Sequence, residues 1–173
     1  MAAKTENIYY SSFVSPLLKK VFIASTERGV CAVDFLTTEK DFVRELRKRF
    51  QGEVVKNDRK NREVISQLKR YLKGELKRFD CRLDLQGTPF EKKVWLELAK
   101  IPYGRTRSYK EIAQTVGHPK AFRAVGNANG RNALPLILPC HRVIESSGGL
   151  GGFGHGLKVK KQLLDLEKAC LLP

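Results

Sequence analysis

A helix-start signal, present twice in the second half of the chain, constrains the fold more than any other feature. Residues 88–91 read Thr-Pro-Phe-Glu, which combines an N-cap threonine, a proline suited to the first helical position and a glutamate that completes a capping box. Residues 108–111 read Ser-Tyr-Lys-Glu and form a second capping box. We therefore predict helices from 89 to about 100 and from 109 to 116.

A third helix is predicted shortly after the second. Gly117 turns the chain, and Pro119 occupies the first position of a helix from Lys120 to about Asn129. Helix, glycine turn and helix is the spacing of a helix-turn-helix motif, although many packed helix pairs share it. The small residues of the third helix suit either the narrow minor groove or close packing against another helix. Arg123, its long cation, either reaches the base stack or is an ordinary surface arginine.

The first half of the chain has the patterns of a small sheet with helices. The elements predicted there are strands over 8–15 and 19–36 with a turn at 26–29, helices over 39–50 and 60–73, and a short strand over 82–85. Residues 86–89 (Gln-Gly-Thr-Pro) mark the domain boundary. We predict an α+β fold, with a small N-terminal β-sheet domain and flanking helices over 1–87. A mostly helical C-terminal domain with a winged helix-turn-helix-like DNA-binding motif follows over 88–173.

Residues 139–142 (Pro-Cys-His-Arg) give the strongest indication of chemistry. They follow the apolar run 134–138, which we predict to be a strand ending at Cys140. An imidazole and a guanidinium next to the sulfur favour the thiolate, which is the nucleophilic form. A cysteine beside an apolar run is otherwise a packing residue more often than a reactive one. That packing interpretation applies to the other three cysteines: Cys31, Cys81 and Cys170.

The charge of the chain indicates a polyanionic partner. The formal net charge is +15, with a pI near 9.9, although solubility alone can also account for such an excess. No apolar run approaches the roughly 18 residues of a membrane-spanning helix, and the first residues lack the apolar region of a signal peptide. We expect an intracellular protein with no membrane partner. The scattered cysteines and three histidines predict no metal site.

Two further segments border the cysteine in the sequence. Residues 146–156 form a glycine-rich loop that formally matches G-x-G-x-x-G, but the βαβ context of a dinucleotide site is missing. The loop is instead predicted to be a flexible wall whose backbone N–H groups can approach a ligand closely. A last helix is predicted over 158–168. Glu167 near its end is either a partner of His141 or a plain surface glutamate.

These motifs together resemble the O6-alkylguanine-DNA alkyltransferases, also called methylated-DNA–protein-cysteine methyltransferases. Residues 139–143 (Pro-Cys-His-Arg-Val) match the active-site signature of that family. Supporting matches extend from about Thr88 to Glu167, whereas residues 1–87 agree only in general character. The fold of the family, with a small N-terminal sheet and a mostly helical C-terminal domain bearing a helix-turn-helix, agrees with the fold predicted above.

The resemblance implies direct DNA repair without a cofactor. Cys140, as thiolate, would attack the alkyl carbon of O6-alkylguanine in an SN2 displacement, with O4-alkylthymine as a further candidate substrate. Glu167 and His141, with a bridging water, would take the thiol proton. Tyr109 would assist protonation of the departing base, and Asn132 would brace the turn before the active site. The thioether product cannot be hydrolysed, so each protein molecule would act once.

The resemblance also implies how DNA is bound. The helix that carries Arg123 would enter the minor groove of double-stranded DNA, and the damaged nucleotide would flip into a pocket. The carbonyls of Cys140 and Val143 would accept from the exocyclic amine of the base, and the N–H of Gly154 would face O6. The residues implied to line the pocket are Val143, Gly154, Phe153 and Pro135. Those implied to contact DNA are Arg123, Tyr109, Lys110, His118, Ala124, Gly126, Asn129 and Ser146, and the protein is expected to be a monomer.

Some positions depart from the pattern of the family. Residues 153–155 (Phe-Gly-His) stand where Tyr, then Ser or Ala, then Gly are common. The phenyl ring of Phe153 keeps the aromatic packing, but the bulk of His155 would narrow the pocket against large adducts such as benzyl. Asn129 would alter the contacts with the groove. The N-terminal zinc site of some members has no match here.

Three other functions are compatible with parts of the pattern. A cysteine hydrolase would also use Cys140 and His141, but it would need an oxyanion hole and would turn over. The binding-only alkyltransferase-like proteins lack the nucleophile that is present here. A helix-turn-helix transcription regulator would not need the cluster at 140–142. In a prokaryote we expect the protein in the cytoplasm at the nucleoid, and in a eukaryote in the nucleus.

Overall fold

A four-stranded sheet organises the first of the two units into which the chain divides, between Leu85 and Gln86. The structure is a computed structural model that describes residues 6–171. The elements of the first unit are β1 (Ile8–Ser15), β2 (Lys19–Thr26), β3 (Gly29–Phe35), α1 (Glu39–Arg49), β4 (Val54–Lys56) and α2 (Arg62–Leu72). The strand order is β3-β2-β1-β4, with β4 parallel to β1 and the other pairs antiparallel.

Helix α1 closes one face of this sheet. The helix begins at Thr38, whose side chain accepts a hydrogen bond from the N–H of Asp41, and it buries Phe42 and Leu46. The ring of Phe42 stacks on Phe22 of β2 with 5.2 Å between the centroids. Because β2 is apolar at successive positions, both of its faces are buried and it forms the centre of the core.

The sequence patterns predicted most of this unit and missed its shortest parts. The two predicted helices correspond to α1 and α2, and the predicted hairpin to β2 and β3. The strand predicted over 82–85 is only an isolated bridge between Val30 and Leu83. Strand β4 was not predicted, since a three-residue strand has too few positions to show an alternation.

The second unit is mostly helical. Its elements are α3 (Pro89–Leu98), β5 (Arg107–Ser108), α4 (Tyr109–Thr115), α5 (Phe122–Gly130), a single 3₁₀ turn (Cys140–Arg142), β6 (Val143–Ile144) and α6 (Leu157–Ala169). Both predicted capping boxes are formed, at the starts of α3 and α4. The indole N–H of Trp95 in α3 donates to the carbonyl of Ala128 in α5 at 2.8 Å. Helices α4 and α5, joined through Gly117, form the predicted helix-turn-helix, and β5 pairs with β6 in parallel.

The strand predicted to end at Cys140 is absent from the described residues, and this prediction was wrong. Residues 134–139 form turns, and Cys140 begins the 3₁₀ turn. Pro135 has no N–H for a sheet ladder, and Leu136 has a φ of 74°, which extended chains do not adopt. The N–H of Leu138 instead donates to the carbonyl of Leu134 at 2.8 Å. An apolar run can therefore be buried here without being a strand.

The start of the third helix was also predicted too early. Helix α5 begins at Phe122, and Pro119 lies in the preceding turn rather than at the first helical position. The N–H of Ala121 donates to the carbonyl of His118 at 2.8 Å, which makes this segment a separate turn. The longest helix of residues 6–171 has 13 residues, and none of the helices there is long and apolar enough to cross a bilayer.

The contribution of the α3 capping box to the stability of this unit can be tested by substitution. Thr88→Ala removes the hydroxyl that accepts from the N–H of Glu91 at 3.2 Å. We expect a loss of about 1 kcal/mol in the free energy of unfolding, which is typical of a removed N-cap. Urea denaturation measures it, and Thr106→Ala, at an exposed position outside the helices, is the control. Equal stability of the two variants would contradict this role.

Candidate active site

Cys140 lies at the wall of a cavity of about 940 Å³ in the second unit. The cavity is bordered by Tyr109 of α4, by Gly126 and Asn129 of α5 and by the glycine loop that includes Gly151–His155. Only 5% of Cys140 is exposed. The thiol is thus reached through a space of the size that holds a small ligand or a nucleobase.

Burial keeps the Cys140 sulfur protonated in the resting protein. Burial raises the pKa of the Cys140 thiol, and a hydrogen bond from Asn132 and the charge of Lys160 offset only part of that effect. This differs from the expectation that neighbouring cations favour the thiolate. The guanidinium of Arg142 is engaged with Glu167 and with the carbonyl of Ile101 instead. A nucleophile at Cys140 therefore needs a base.

His141 has the chemistry of that base. Its Nε2 lies 2.7 Å from Oε1 of Glu167, and both side chains are fully buried. Burial lowers the pKa of His141 despite the opposing effect of the carboxylate, so the imidazole is neutral near pH 7. Because an ionised carboxylate only accepts hydrogen bonds, Nε2 carries the proton and Nδ1 is the basic nitrogen. Glu167 is therefore the partner of His141 and not a surface residue.

The carboxylate of Glu167 joins three segments of the unit. Arg142 donates to it from Nε and Nη2 at 2.9–3.1 Å, and the N–H of Gly104 donates to Oε2 at 2.9 Å. Burial alone would raise the pKa of Glu167, but the bonds from His141 and Arg142 more than offset it and hold the pKa at about 2. Helix α6 is thereby fixed to the turn that carries Cys140.

Two asparagines hold the backbone around Cys140. Asn132 donates from Nδ2 to the carbonyl of Leu138 at 2.7 Å and accepts from the N–H of Leu134 at 2.9 Å. Asn132 thus contacts the turn before Cys140, and its bracing role there stays a prediction. Asn129, predicted to contact DNA, is buried, and its Nδ2 donates to the carbonyl of Cys140 at 3.2 Å.

Tyr109 lies against the glycine loop and donates a hydrogen bond to it. Its hydroxyl donates to the carbonyl of Gly152 at 3.3 Å, and burial raises the pKa of the phenol, so the proton stays in place. Gly151 has a φ of 67°, and a Cβ there would lie 2.8 Å from the Tyr109 ring. The loop can therefore approach the phenol this closely only with glycine at position 151.

Three of the four predicted pocket residues line the same cavity, and Val143 is not among them. Pro135, Phe153 and Gly154 line it, and the ring centroids of Phe153 and His155 are 5.5 Å apart. Val143 is fully buried, and its carbonyl accepts from Lys160. The predicted site residues of the 3₁₀ turn, the glycine loop and α6 are thus brought together in one place.

The exposed face of α5 presents the cation that we predicted for DNA. Arg123 and Ala124 are exposed, while Val125 and Ala128 of the same helix are buried. The remaining predicted DNA contacts are exposed at Lys110, His118 and Ser146 and half-buried at Tyr109 and Gly126. Among residues 6–171, no group of three or more metal-ligating side chains is close enough to hold an ion.

Lys160 is a member of the site that the sequence interpretation missed. Its side chain is fully buried, and Nζ donates to carbonyls of β6 and of the glycine loop. A signal was present, because position 160 shares the helical spacing i, i+3, i+4, i+7 with Leu163, Leu164 and Glu167. A lysine on the buried face of an amphipathic helix indicates a role beyond solubility.

Comparison with known proteins assigns both halves of the chain to one family. The family model described as the 6-O-methylguanine DNA methyltransferase DNA binding domain matches residues 89–169, and the ribonuclease-like domain of the same family matches residues 8–85. The methylated-DNA–protein-cysteine methyltransferase of Methanosarcina acetivorans is 44% identical over 163 residues, which cover 94% of this chain and 100% of that protein.

Solved structures are similar to this protein over nearly the whole chain. The structure of Mycobacterium tuberculosis OGT in complex with DNA is 39% identical, with a TM-score of 0.80, and the match covers 94% of each chain. The O6-methylguanine-DNA methyltransferase of Pyrococcus kodakaraensis is 26% identical, with a TM-score of 0.64, over 92% of this chain and 98% of that one.

The Glu167 carboxylate predicts a loss of stability in acid. Its pKa of about 2 lies below the usual value near 4.3, so its stabilising effect is complete above about pH 4.3 and is lost as the pH falls towards 2. Glu167→Gln should cost about 3–5 kcal/mol at pH 7, because the buried guanidinium of Arg142 loses the negative charge that compensates it. The variant should also lose less of its free energy of unfolding between pH 5 and pH 3 than the unmodified protein does. Urea denaturation at each pH measures this.

The matched control is Asp165→Asn on the same helix. Asp165 is exposed, and its ion pair with Lys161 lies at the surface, so the expected loss is under about 1 kcal/mol. If Glu167→Gln lost as much stability in acid as the unmodified protein, the Glu167 carboxylate would not be the cause of that loss.

Proposed function

Because the chain belongs to the 6-O-methylguanine DNA methyltransferase family, it repairs DNA by transferring an alkyl group to a cysteine, and we propose that this cysteine is Cys140. The observation that carries the assignment is the Cys140 thiol at the cavity wall, next in the chain to a His141–Glu167 pair at 2.7 Å. Cys140 is the cysteine that lines this cavity, whereas burial raises the pKa of Cys31 to about 12 and that of Cys81 to about 11. The substrate is O6-alkylguanine in DNA.

In the proposed reaction the thiol first loses its proton. His141 takes it, directly or through a water molecule, and Glu167 stabilises the imidazolium that forms. The sulfur then attacks the alkyl carbon, so that the S–C bond forms as the C–O6 bond breaks. The electron pair of that bond remains on the departing guanine, which gains a proton and leaves as the neutral base.

Tyr109 supports departure of the base. Its phenol keeps its proton because burial raises its pKa, and it borders the same cavity as Cys140. A donor at this position lowers the cost of the negative charge that develops on guanine. The proton given to the base balances the one removed from Cys140, so the protein changes only by the alkyl group.

The product explains why the protein acts once. A thioether carries no activated carbonyl carbon for water to attack, so no ordinary hydrolysis restores the thiol of Cys140. A cysteine hydrolase forms a thioester instead and is regenerated by water. Repair is therefore stoichiometric, with at most one alkyl group accepted by each protein molecule.

DNA is proposed to bind along the exposed face of α5. Arg123 lies on this face between the small residues of the helix, which suits the minor groove and replacement of a flipped base. The net charge of +15 provides the attraction to phosphates. We propose that the protein binds double-stranded DNA as a monomer and acts in the compartment that contains the chromosome.

The nucleophile is tested by intact mass after incubation with a duplex oligonucleotide that contains one O6-methylguanine. We expect a gain equal to one CH₂ group, at most one per protein, which Cys140→Ala abolishes. Cys81→Ala, which removes a half-buried cysteine of the other unit, should react like the unmodified protein. A gain that survives in Cys140→Ala would place the acceptor elsewhere, and repeated turnover without a mass gain would indicate a hydrolase.

The role of Arg123 is tested by comparing duplex and single-stranded substrates. Arg123→Ala should slow single-turnover transfer from the duplex about tenfold or more, since flipping a base out of a stack costs a few kcal/mol. Transfer from the single strand should change little, because no flipping is needed there. Arg105→Ala removes the same charge at another exposed position and is the control. Equal losses on both substrates would show that Arg123 does not assist flipping.

A further inference from the structure

Asn129 is a buried amide on the wall of the cavity, and one of its two polar atoms is unpaired. The residue is 6% exposed, and it borders the cavity together with Cys140 and Tyr109. Its Nδ2 donates to the carbonyl of Cys140 at 3.2 Å, whereas its buried Oδ1 has no hydrogen-bond partner among residues 6–171. A buried acceptor without a donor costs free energy, so the stability of the fold does not explain this amide.

The ring of Tyr109 lies along the face of α5 that carries this amide. A Cβ at Gly126 would lie 3.9 Å from two carbon atoms of the Tyr109 ring. Gly126 and Asn129 both border the cavity, and residues at i and i+3 of a helix are neighbours on its surface. The ring therefore packs across Gly126, one helical turn from Asn129.

The amide of Asn129 acts on the phenol as a hydrogen-bond donor. Burial raises the pKa of Tyr109, and a hydrogen bond from the side chain of Asn129 opposes part of that effect. A hydrogen bond lowers the pKa of a phenol when it favours the charged form, so an N–H group is directed at the phenol oxygen. Since Nδ2 carries two hydrogen atoms, it can serve both the Tyr109 oxygen and the carbonyl of Cys140.

We infer that Asn129 is a positioning residue for proton donation: its amide holds the Tyr109 oxygen beside the backbone of Cys140 and stabilises the negative charge that develops on that oxygen as the base departs. The inference rests on the proposed function. A donor that is already in place lowers the cost of this charge, because nothing has to reorganise during the reaction.

The proton balance of the proposed reaction is unchanged by this role. The O–H bond of Tyr109 breaks as an N–H bond forms on the departing guanine, and the electron pair of the O–H bond remains on the phenol oxygen. The proton that His141 took from Cys140 restores the phenol afterwards. Asn129 itself neither gains nor loses a proton, so it acts only through Tyr109.

The inference is tested with two methyl donors whose leaving groups differ in their need for a proton. A duplex with one O6-methylguanine releases guanine, which needs a proton, whereas methyl iodide releases iodide, which needs none. Asn129→Leu keeps the shape of the side chain without its N–H groups. It should slow single-turnover transfer from the duplex about tenfold, the effect of one hydrogen bond to a charged group. Methylation by methyl iodide, followed by the mass of the peptide that contains Cys140, should change little.

The ratio of the two rates separates positioning of the phenol from a general structural role. Tyr109→Phe should show the same selective loss as Asn129→Leu. Gln114→Leu, which removes an amide at an exposed position of the helix that carries Tyr109, should keep both rates. If Asn129→Leu slowed both reactions equally, or slowed neither, the inference would be overturned.

A double variant shows whether Asn129 acts through Tyr109. Without the phenol the amide has no oxygen to stabilise, so Tyr109→Phe/Asn129→Leu should react with the duplex no more slowly than Tyr109→Phe alone. Losses that multiply would contradict the inference. An unmodified protein that accepts no methyl group from the duplex, or a Tyr109→Phe variant with the full rate, would instead refute the proposed reaction.

A second substitution keeps the test valid if Asn129→Leu does not fold. Urea denaturation establishes whether each variant is folded under the conditions of the assay. Asn129→Ala, whose smaller side chain fits the same space, also lacks the N–H donors and should show the same selective loss. A full rate of transfer from the duplex in Asn129→Ala would overturn the inference.

Discussion

The buried carboxylate of Glu167 is the interaction on which the rest of the site depends. It receives hydrogen bonds from His141, Arg142 and the backbone of Gly104. These donors come from the 3₁₀ turn that begins at Cys140 and from the loop that follows α3, and the carboxylate itself comes from α6. A charged group without water is tolerated only when its hydrogen bonds are this complete. The same contacts that satisfy the charge also fix the tautomer of His141, so the fold itself sets which ring nitrogen carries the proton.

The sequence predicted the parts of this fold whose signals are local. The capping boxes at Thr88 and Ser108 fix helix starts because all their partners lie within three residues. The resemblance led to Glu167 and His141, although 26 positions separate them. The apolar run before Cys140 led to a wrong prediction of a strand, because burial is common to strands and to compact turns. The missing N–H of Pro135 and the positive φ of Leu136 distinguish the two.

The electrostatics of the site could not be predicted from neighbours in the sequence. Arg142 is adjacent to the active-site pair in the chain, yet its charge is committed to Glu167. The cation that does act on the Cys140 sulfur is Lys160, 20 positions away in the chain. Solvation and partners in space determine the pKa values of Cys140 and Glu167, and neither is visible in a linear pattern.

The burial of Asn129 could not be predicted either, since the spacing of α5 alone does not say which face of the helix packs inward.

The contact between Gly151 and Tyr109 restricts which amino acids each position can hold. Any side chain at 151 would have an unfavourable φ and would collide with the phenol ring. A smaller residue at 109 would remove the collision but also the hydroxyl. A substitution at position 151 is therefore tolerated only together with a smaller residue at position 109. The path of the loop backbone thus depends on which side chain stands at position 109. An aromatic ring at position 109 in one helix thus limits which residues can stand at position 151, 42 residues further along the chain.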